Sequence, residues 1–164
     1  MLINKNDLIL KASNFHLGNG LNVLRIAAGA FFFPHAIGKF VDGGLNPAVV
    51  GFFEAAGFWP ASSWALLAAF SEITIGIALV LGICTRFAAL GGALILAVAV
   101  YALQTVSGFN GWTWNTGGYE YPVFWGIVCI VISLEEFRRL RSDATPELSA
   151  LSARSDSSPT PRRH

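Results

Sequence analysis

Three stretches of this chain, each about twenty residues long, are dominated by side chains that water solvates poorly. They are "LNVLRIAAGAFFFPHAIGKFV" (Leu21 to Val41), the run from about Trp64 to Ile83, and "FAALGGALILAVAVYALQTV" (Phe87 to Val106). Roughly 20 apolar residues coiled as a helix match the thickness of a bilayer's hydrocarbon core. A fourth run, "YPVFWGIVCIVISL" (Tyr121 to Leu134), is short for a crossing and reaches full length if its helix continues through Glu135 and Phe137. Only 13% of the residues are charged and 54% are hydrophobic, whereas a soluble domain carries about 25% charged residues. The expected fold is an all-α membrane protein, with four transmembrane helices (about 21–41, 64–83, 87–106 and 121–137) in an up-down bundle.

Direction follows from the basic residues near the span ends. Lys5 and Lys11 precede the first span, Arg86 occupies the turn between the second and third, and Arg138, Arg139 and Arg141 follow the fourth. The other two connections, Asp42–Ser63 and Ser107–Glu120, contain no Lys or Arg. Both termini are therefore expected in the cytoplasm. Trp59, Trp64, Trp112, Trp114 and Trp125 fall in or near the outer connections, a depth that indole rings favour. Within the first of these, "NPAVVGFFEAAGF" reads as a short interfacial helix: Asn46 as cap, Pro47 as first residue and Gly57 as stop. The second, "SGFNGWTWNTGGYEYP", reads as a lid over the bundle. Residues 1–19 form a cytoplasmic N-terminal segment without the pattern of a cleavable signal. The Ser/Pro/Arg-rich residues 142–164 are expected to be a disordered cytoplasmic tail.

The second span contains a carboxylate, Glu72, near its middle, where a charge costs about 2.5–3.5 kcal/mol on insertion scales. Helical rise places the polar residues of different spans at comparable depth. Glu72 lies about 12 Å below Trp64, and His35 and Lys39 lie one turn apart in the outer part of the first span. Tyr101 and Gln104 occupy the outer half of the third, and Glu120 and Tyr121 the outer rim of the fourth. Glu72 becomes tolerable if it faces the bundle interior and is paired with Lys39 or His35, or is protonated. The same face carries Ala65, Ala68, Ala69, Gly76 and Leu79, small enough in large part for another helix to approach.

Two readings of this layer stand: an interhelical clamp, or a ligand and proton site lined by His35, Lys39, Glu72, Tyr101, Gln104 and Glu120. Glu120 also reads as a cap for the fourth span, whose Pro122 suits a first turn. Arg25, near the inner end of the first span, reads as a lipid-phosphate contact or a snorkelling charge. "FFFP" reads as lipid-facing bulk with a proline kink. Cys84 and Cys129 form no CxxC and read as packing residues. No spacing of His, Cys, Asp or Glu suggests a metal site, and a net charge of +1 gives no reason to expect a nucleic-acid partner.

"LRIAAGAFFFPHAIGKF", "FFEAAGFWP", "SEITIGIALVLGICTRFAALGGALILAVAVYAL" and "GYEYPVFW" follow one another as landmarks do in the DoxX family, which this chain resembles from about Gly20 to Leu134. The resemblance implies a four-helix protein of the bacterial cytoplasmic (inner) membrane, with Lys39, Glu72, Glu120 and Pro122 at the family's marker positions. It also implies association with redox enzymes in oxidative-stress defence and a link to quinones. The family's glycine-containing turn after the fourth span is replaced here by a charged helical continuation, "VISLEEFRRLRSD". With no haem motif, flavin fingerprint or cysteine cluster in the chain, no intrinsic cofactor is expected. The leading expectation is a quinone-linked or redox-associated membrane subunit whose electrons come from a partner enzyme. The alternatives are a small-solute carrier, for which a homo-oligomer is expected, and a non-catalytic assembly subunit.

Overall fold

The computed structural model describes residues 5–108 and 111–156. The first apolar stretch is two helices, α1 (Gly20–Ala30) and α2 (Phe32–Ile37), separated at Phe31. Pro34 sets the break, because it has no N–H for the carbonyl of Ala30 and its ring crowds that carbonyl. The side chain of Asn19 accepts a hydrogen bond from the Leu21 N–H and so starts α1. The helix stops four residues short of the expected Val41. Gly38 caps α2, and Phe40–Val41 (β1) pairs antiparallel with Gly44–Leu45 (β2). Asp42 and Gly43 take positive φ angles of 51° and 79°, as the central pair of a tight hairpin does.

Asn46, Pro47 and Gly57 act as expected around α3 (Pro47–Ala55): the Asn46 side chain accepts from the Ala48 N–H, and Gly57 leaves the helix at φ 85°. α4 (Ala61–Leu81) and α5 (Thr85–Ser107) are joined by a turn in which Gly82 and Cys84 are left-handed. α6 (Glu120–Asp156) has 37 residues, about 55 Å of helix. It continues where a disordered tail was expected from Ser142. Leu, Ala, Glu and Arg are strong helix formers and recur from Leu140 to Arg154, outweighing the serines and Pro146. The rest of that expected tail, 157–164, lies outside the described residues.

Among the described residues, three helical segments are long and apolar enough to cross a membrane: Gly20–Ile37, Ala61–Leu81 and Thr85–Ser107. α1 packs on α4 and α6, α4 on α5, and α5 on α6, closing a ring. α1 and α4 cross at Gly29 and Gly76, where a Cβ on Gly29 would lie 2.7 Å from that of Leu79 and 3.0 Å from the Gly76 carbonyl oxygen. The α4 face read as small is the buried one: Ala65, Ala69, Glu72, Gly76 and Leu79. Phe32, expected toward lipid, is instead the centre of the core, 1% exposed among Leu79, Leu96, Trp125, Cys129 and Ile132. Its ring fills the space left by Gly92, whose Cβ would meet Phe32 Cζ at 3.1 Å. Trp125 is buried against it, not placed at an interface.

The two ends of the ring are closed differently. At the turn end, beside Gly82–Cys84, residues 5–19 lie across the helices. The Cys84 N–H donates to the Asp7 carbonyl at 2.7 Å, and Asp7 pairs with Arg86 at 2.8 Å. The Arg86 guanidinium also lies over the rings of Phe87 and Phe137. At the loop end, α3 folds back onto the first turns of α4, burying Phe53 against Ala61 and Ala65.

Candidate functional site

Lys39 follows the α2 cap, and the hairpin behind it holds its backbone. The Asn46 N–H donates to the Lys39 carbonyl at 2.9 Å, and the Asn46 amide reaches the Gly38 carbonyl at 3.4 Å. From this anchored position Lys39 Nζ turns back toward the bundle. It donates to the His35 carbonyl at 3.2 Å and to Glu72 Oε2 at 2.6 Å. The two side chains are only 13% and 10% exposed. Glu72 is thus paired in the way that makes its depth tolerable.

The pair sits in the wall of a cavity of about 600 Å³, within the usual range for small-molecule sites. α4 contributes Trp64, Leu67, Ala68, Ser71 and Glu72, and α5 contributes Leu94, Ile95, Val98, Ala99, Ala102 and Leu103. Each set recurs at helical spacing, so each is one continuous face. α2 adds Pro34 and His35, and α3 adds Val49, Phe52 and Phe53. Ala68, Ser71, Ala99 and Ala102 are too small to fill the gap between α4 and α5. Closer to the turn end the same seam is shut, with Ile75 Cδ1 lying 3.3 Å from where a Cβ on Gly91 would be.

His35, Lys39 and Glu72 therefore come together as expected. Tyr101, Gln104 and Glu120 do not line the cavity. Tyr101 is 56% exposed and sets its ring edge-on to Phe58, while Glu120 begins α6, where the helix dipole favours a carboxylate. Tyr121 stacks on His35 at 6.4 Å between ring centroids. Residues 111–120 turn back on themselves through Tyr119 N–H to Gly111 O and Glu120 N–H to Trp112 O, and among the described residues of the second outer loop none lines the cavity. Ser71, Phe52, Phe53 and Trp64 are site residues that sequence reasoning missed. The helical repeat of Trp64, Leu67, Ala68 and Ser71 around Glu72 was the available signal.

Arg25 lies elsewhere and is not placed for lipid. It is 2% exposed, and its guanidinium donates to the carbonyls of Leu79, Val80 (3.0 Å) and Asn14 (2.5 Å). The last carbonyls of α4 have no partner within the helix. Arg25 satisfies two, and the Asn14 amide reaches the next, those of Leu81 and Gly82, at 3.2 Å each. A cation at the C-terminal end of a helix is also favoured by its dipole.

The family model named DoxX matches residues 20–105, just over half of the chain. The chain belongs to the DoxX family. The matched region includes α1 to α4 and all but the end of α5, and with them every residue that lines the cavity. It ends before Glu120 and Pro122, so these two marker positions rest on the sequence resemblance alone. Comparison with curated proteins and with solved structures returned no match. Family membership and the three long apolar helices together make this a membrane protein.

Proposed function

We propose that this DoxX-family chain is the quinone-binding membrane subunit of a redox system, with the cavity between α2, α3, α4 and α5 holding the quinone headgroup. The observation that carries the reading is an ion pair, Lys39–Glu72, set in the wall of an otherwise largely apolar cavity. A quinone needs apolar walls for its ring and substituents, and a donor for each carbonyl oxygen. Lys39 Nζ supplies a charge-assisted donor. Reduction to the quinol takes two electrons and two protons. The electrons come from a partner redox enzyme and the two protons from water, relayed by way of the Lys39–Glu72 pair to the oxygens that gain charge. Ser71 and His35 provide the other polar groups at the wall.

In this reading α6 is the fourth crossing, the turn end faces the cytoplasm of a bacterial cell, and the loop end faces outward. The carrier alternative needs a path past the turn end. There Phe32, Leu79 and Ile132 fill the core, and Arg25 and Asn14 tie residues 5–19 across it. The test is the quinone content of protein purified into lipid nanodiscs, wild type against Glu72→Gln. Near-stoichiometric quinone that drops in the variant is the expected result. A folded wild type carrying no quinone would end this reading.

A further inference from the structure

We infer that the cavity admits its ligand sideways from the bilayer, between α4 and α5, and that the ligand is an amphiphile whose hydrocarbon chain stays in that seam while its polar head reaches Lys39 and Glu72. The inference rests on the reading of the cavity as a site for a lipophilic ligand, and adds how the ligand arrives and what it must carry.

Several of the cavity's wall residues also belong to the outer surface of the bundle, and along the α4–α5 seam these are apolar. Leu67 on α4 is 55% exposed and Leu94 on α5 is 68% exposed. They sit among residues that can only face lipid if these helices cross a membrane: Phe70 and Ile77 on α4, Leu90 on α5, all more than a third exposed. Between them Ala68 and Ala99 are too small to fill the seam, which closes toward the turn end at Ile75 and Gly91.

The loop end is roofed by aromatic rings. Phe53 meets Phe58 edge-on at 5.5 Å, and Phe58 meets Trp64 at 5.2 Å and Tyr101 at 6.0 Å. Phe52 joins the same roof through Phe53. Tyr101, outside the cavity lining, ties α5 to the Phe58 loop behind the Phe52, Phe53 and Trp64 rings that do line it. An apolar mouth in the α4–α5 seam disfavours entry there by a water-borne polar solute, which would lose its hydration. A chain-bearing amphiphile crosses the side mouth at no such cost, because its tail never leaves hydrocarbon. The charged pair lies near the closed end of the seam, about 12 Å along α4 from Trp64, where a head drawn inward meets a donor and an acceptor.

The experiment uses the full chain in nanodiscs of phosphatidylcholine containing a small fraction of the same lipid with a diazirine on its acyl chain. After irradiation, adducts are mapped by peptide mass spectrometry. Expected are adducts on Ser71, Ala99 or Ala102, inside the cavity, as well as on Phe70, Ile77 and Leu90. In Ala99→Phe, which plugs the seam, the inner adducts fall several-fold and the outer ones persist. Leu94→Trp, which screens the mouth from outside, serves as the second variant. In both, an unreactive Cys129 reports an intact core. Adducts confined to the outer residues of the wild type, or inner adducts undiminished in both folded variants, would overturn lateral admission. Adding a long-chain benzoquinone, and separately its chainless parent, tells the two readings apart. Displacement of the inner adducts by the long-chain compound alone supports both. Displacement by neither leaves lateral admission standing on the inner adducts and removes the quinone.

Discussion

Replacing Glu72 and Lys39 singly and together separates a structural clamp from a ligand site. The two charges approach to 2.6 Å, a gross attraction of roughly 6 kcal/mol at the effective dielectric near 20 that suits such sites. Desolvation of two side chains that are 13% and 10% exposed cancels most of it, so the pair contributes little net stability. Breaking it is another matter. Glu72→Leu leaves an ammonium in an apolar wall with the His35 carbonyl as its remaining acceptor, and Lys39→Met leaves a carboxylate with none of its charge compensated by that ammonium. Each single variant is expected to lose about 3 kcal/mol, the low end for a broken buried pair because some hydration remains. The double variant should return to within about 1 kcal/mol of wild type. Reversible unfolding in mixed micelles of dodecyl sulfate and maltoside, followed by tryptophan fluorescence, reads all four corners of the cycle. A double variant as unstable as the singles would refute the argument that the pair compensates its own burial. The folded double variant then carries the functional question: it should contain no quinone, whereas a mere clamp would leave the occupancy unchanged.

Other outcomes are expected of the helix crossings, the turn end and the core. Gly76→Leu should destabilise by at least 1–3 kcal/mol through overpacking of the α1–α4 crossing, because its Cβ would lie 3.0 Å from the Gly29 carbonyl oxygen. Gly51→Ala, with open space around it in α3, should be neutral or gain up to about 1 kcal/mol, both read by the same unfolding assay. Arg25→Met should cost about 1.5–3 kcal/mol by removing charge-assisted bonds to the carbonyls of Leu79, Val80 and Asn14, of which Leu79 keeps the Gly82 N–H, with the gain in proteolysis and amide exchange concentrated in residues 5–19. A maleimide should modify half-buried Cys84 well before Cys129, which is wholly buried beside Phe32. Equal rates would mean that the core around Phe32 opens as readily as the turn.

The helices and their caps were legible because their signals are local: Asn46, Pro47 and Gly57 each act on neighbours within a turn. Depth was legible too, since a rise per residue and a chain direction bring Glu72, His35 and Lys39 level. Azimuth was not. Tyr101, Gln104 and Glu120 share that depth, but which way a side chain points around its axis is decided by the packing of four helices on one another. The hairpin after Gly38 was readable from Asp42-Gly43, and was masked by the apolar residues on either side of it. Arg25 was misread for a different reason. Its acceptors are the terminal carbonyls of α4, a need that belongs to the backbone and leaves no mark on the side chains near it.

That same contact has a consequence for how the protein is made. The carbonyl of Leu79 is synthesised 54 residues after Arg25, roughly 3–10 s later at common elongation rates. Until then the guanidinium of α1 has no terminal carbonyl of α4 to bind, and from its place near the turn end of the first span it can keep its hydration at the membrane surface. Burial of Arg25 therefore follows the arrival of α4, which supplies its acceptors.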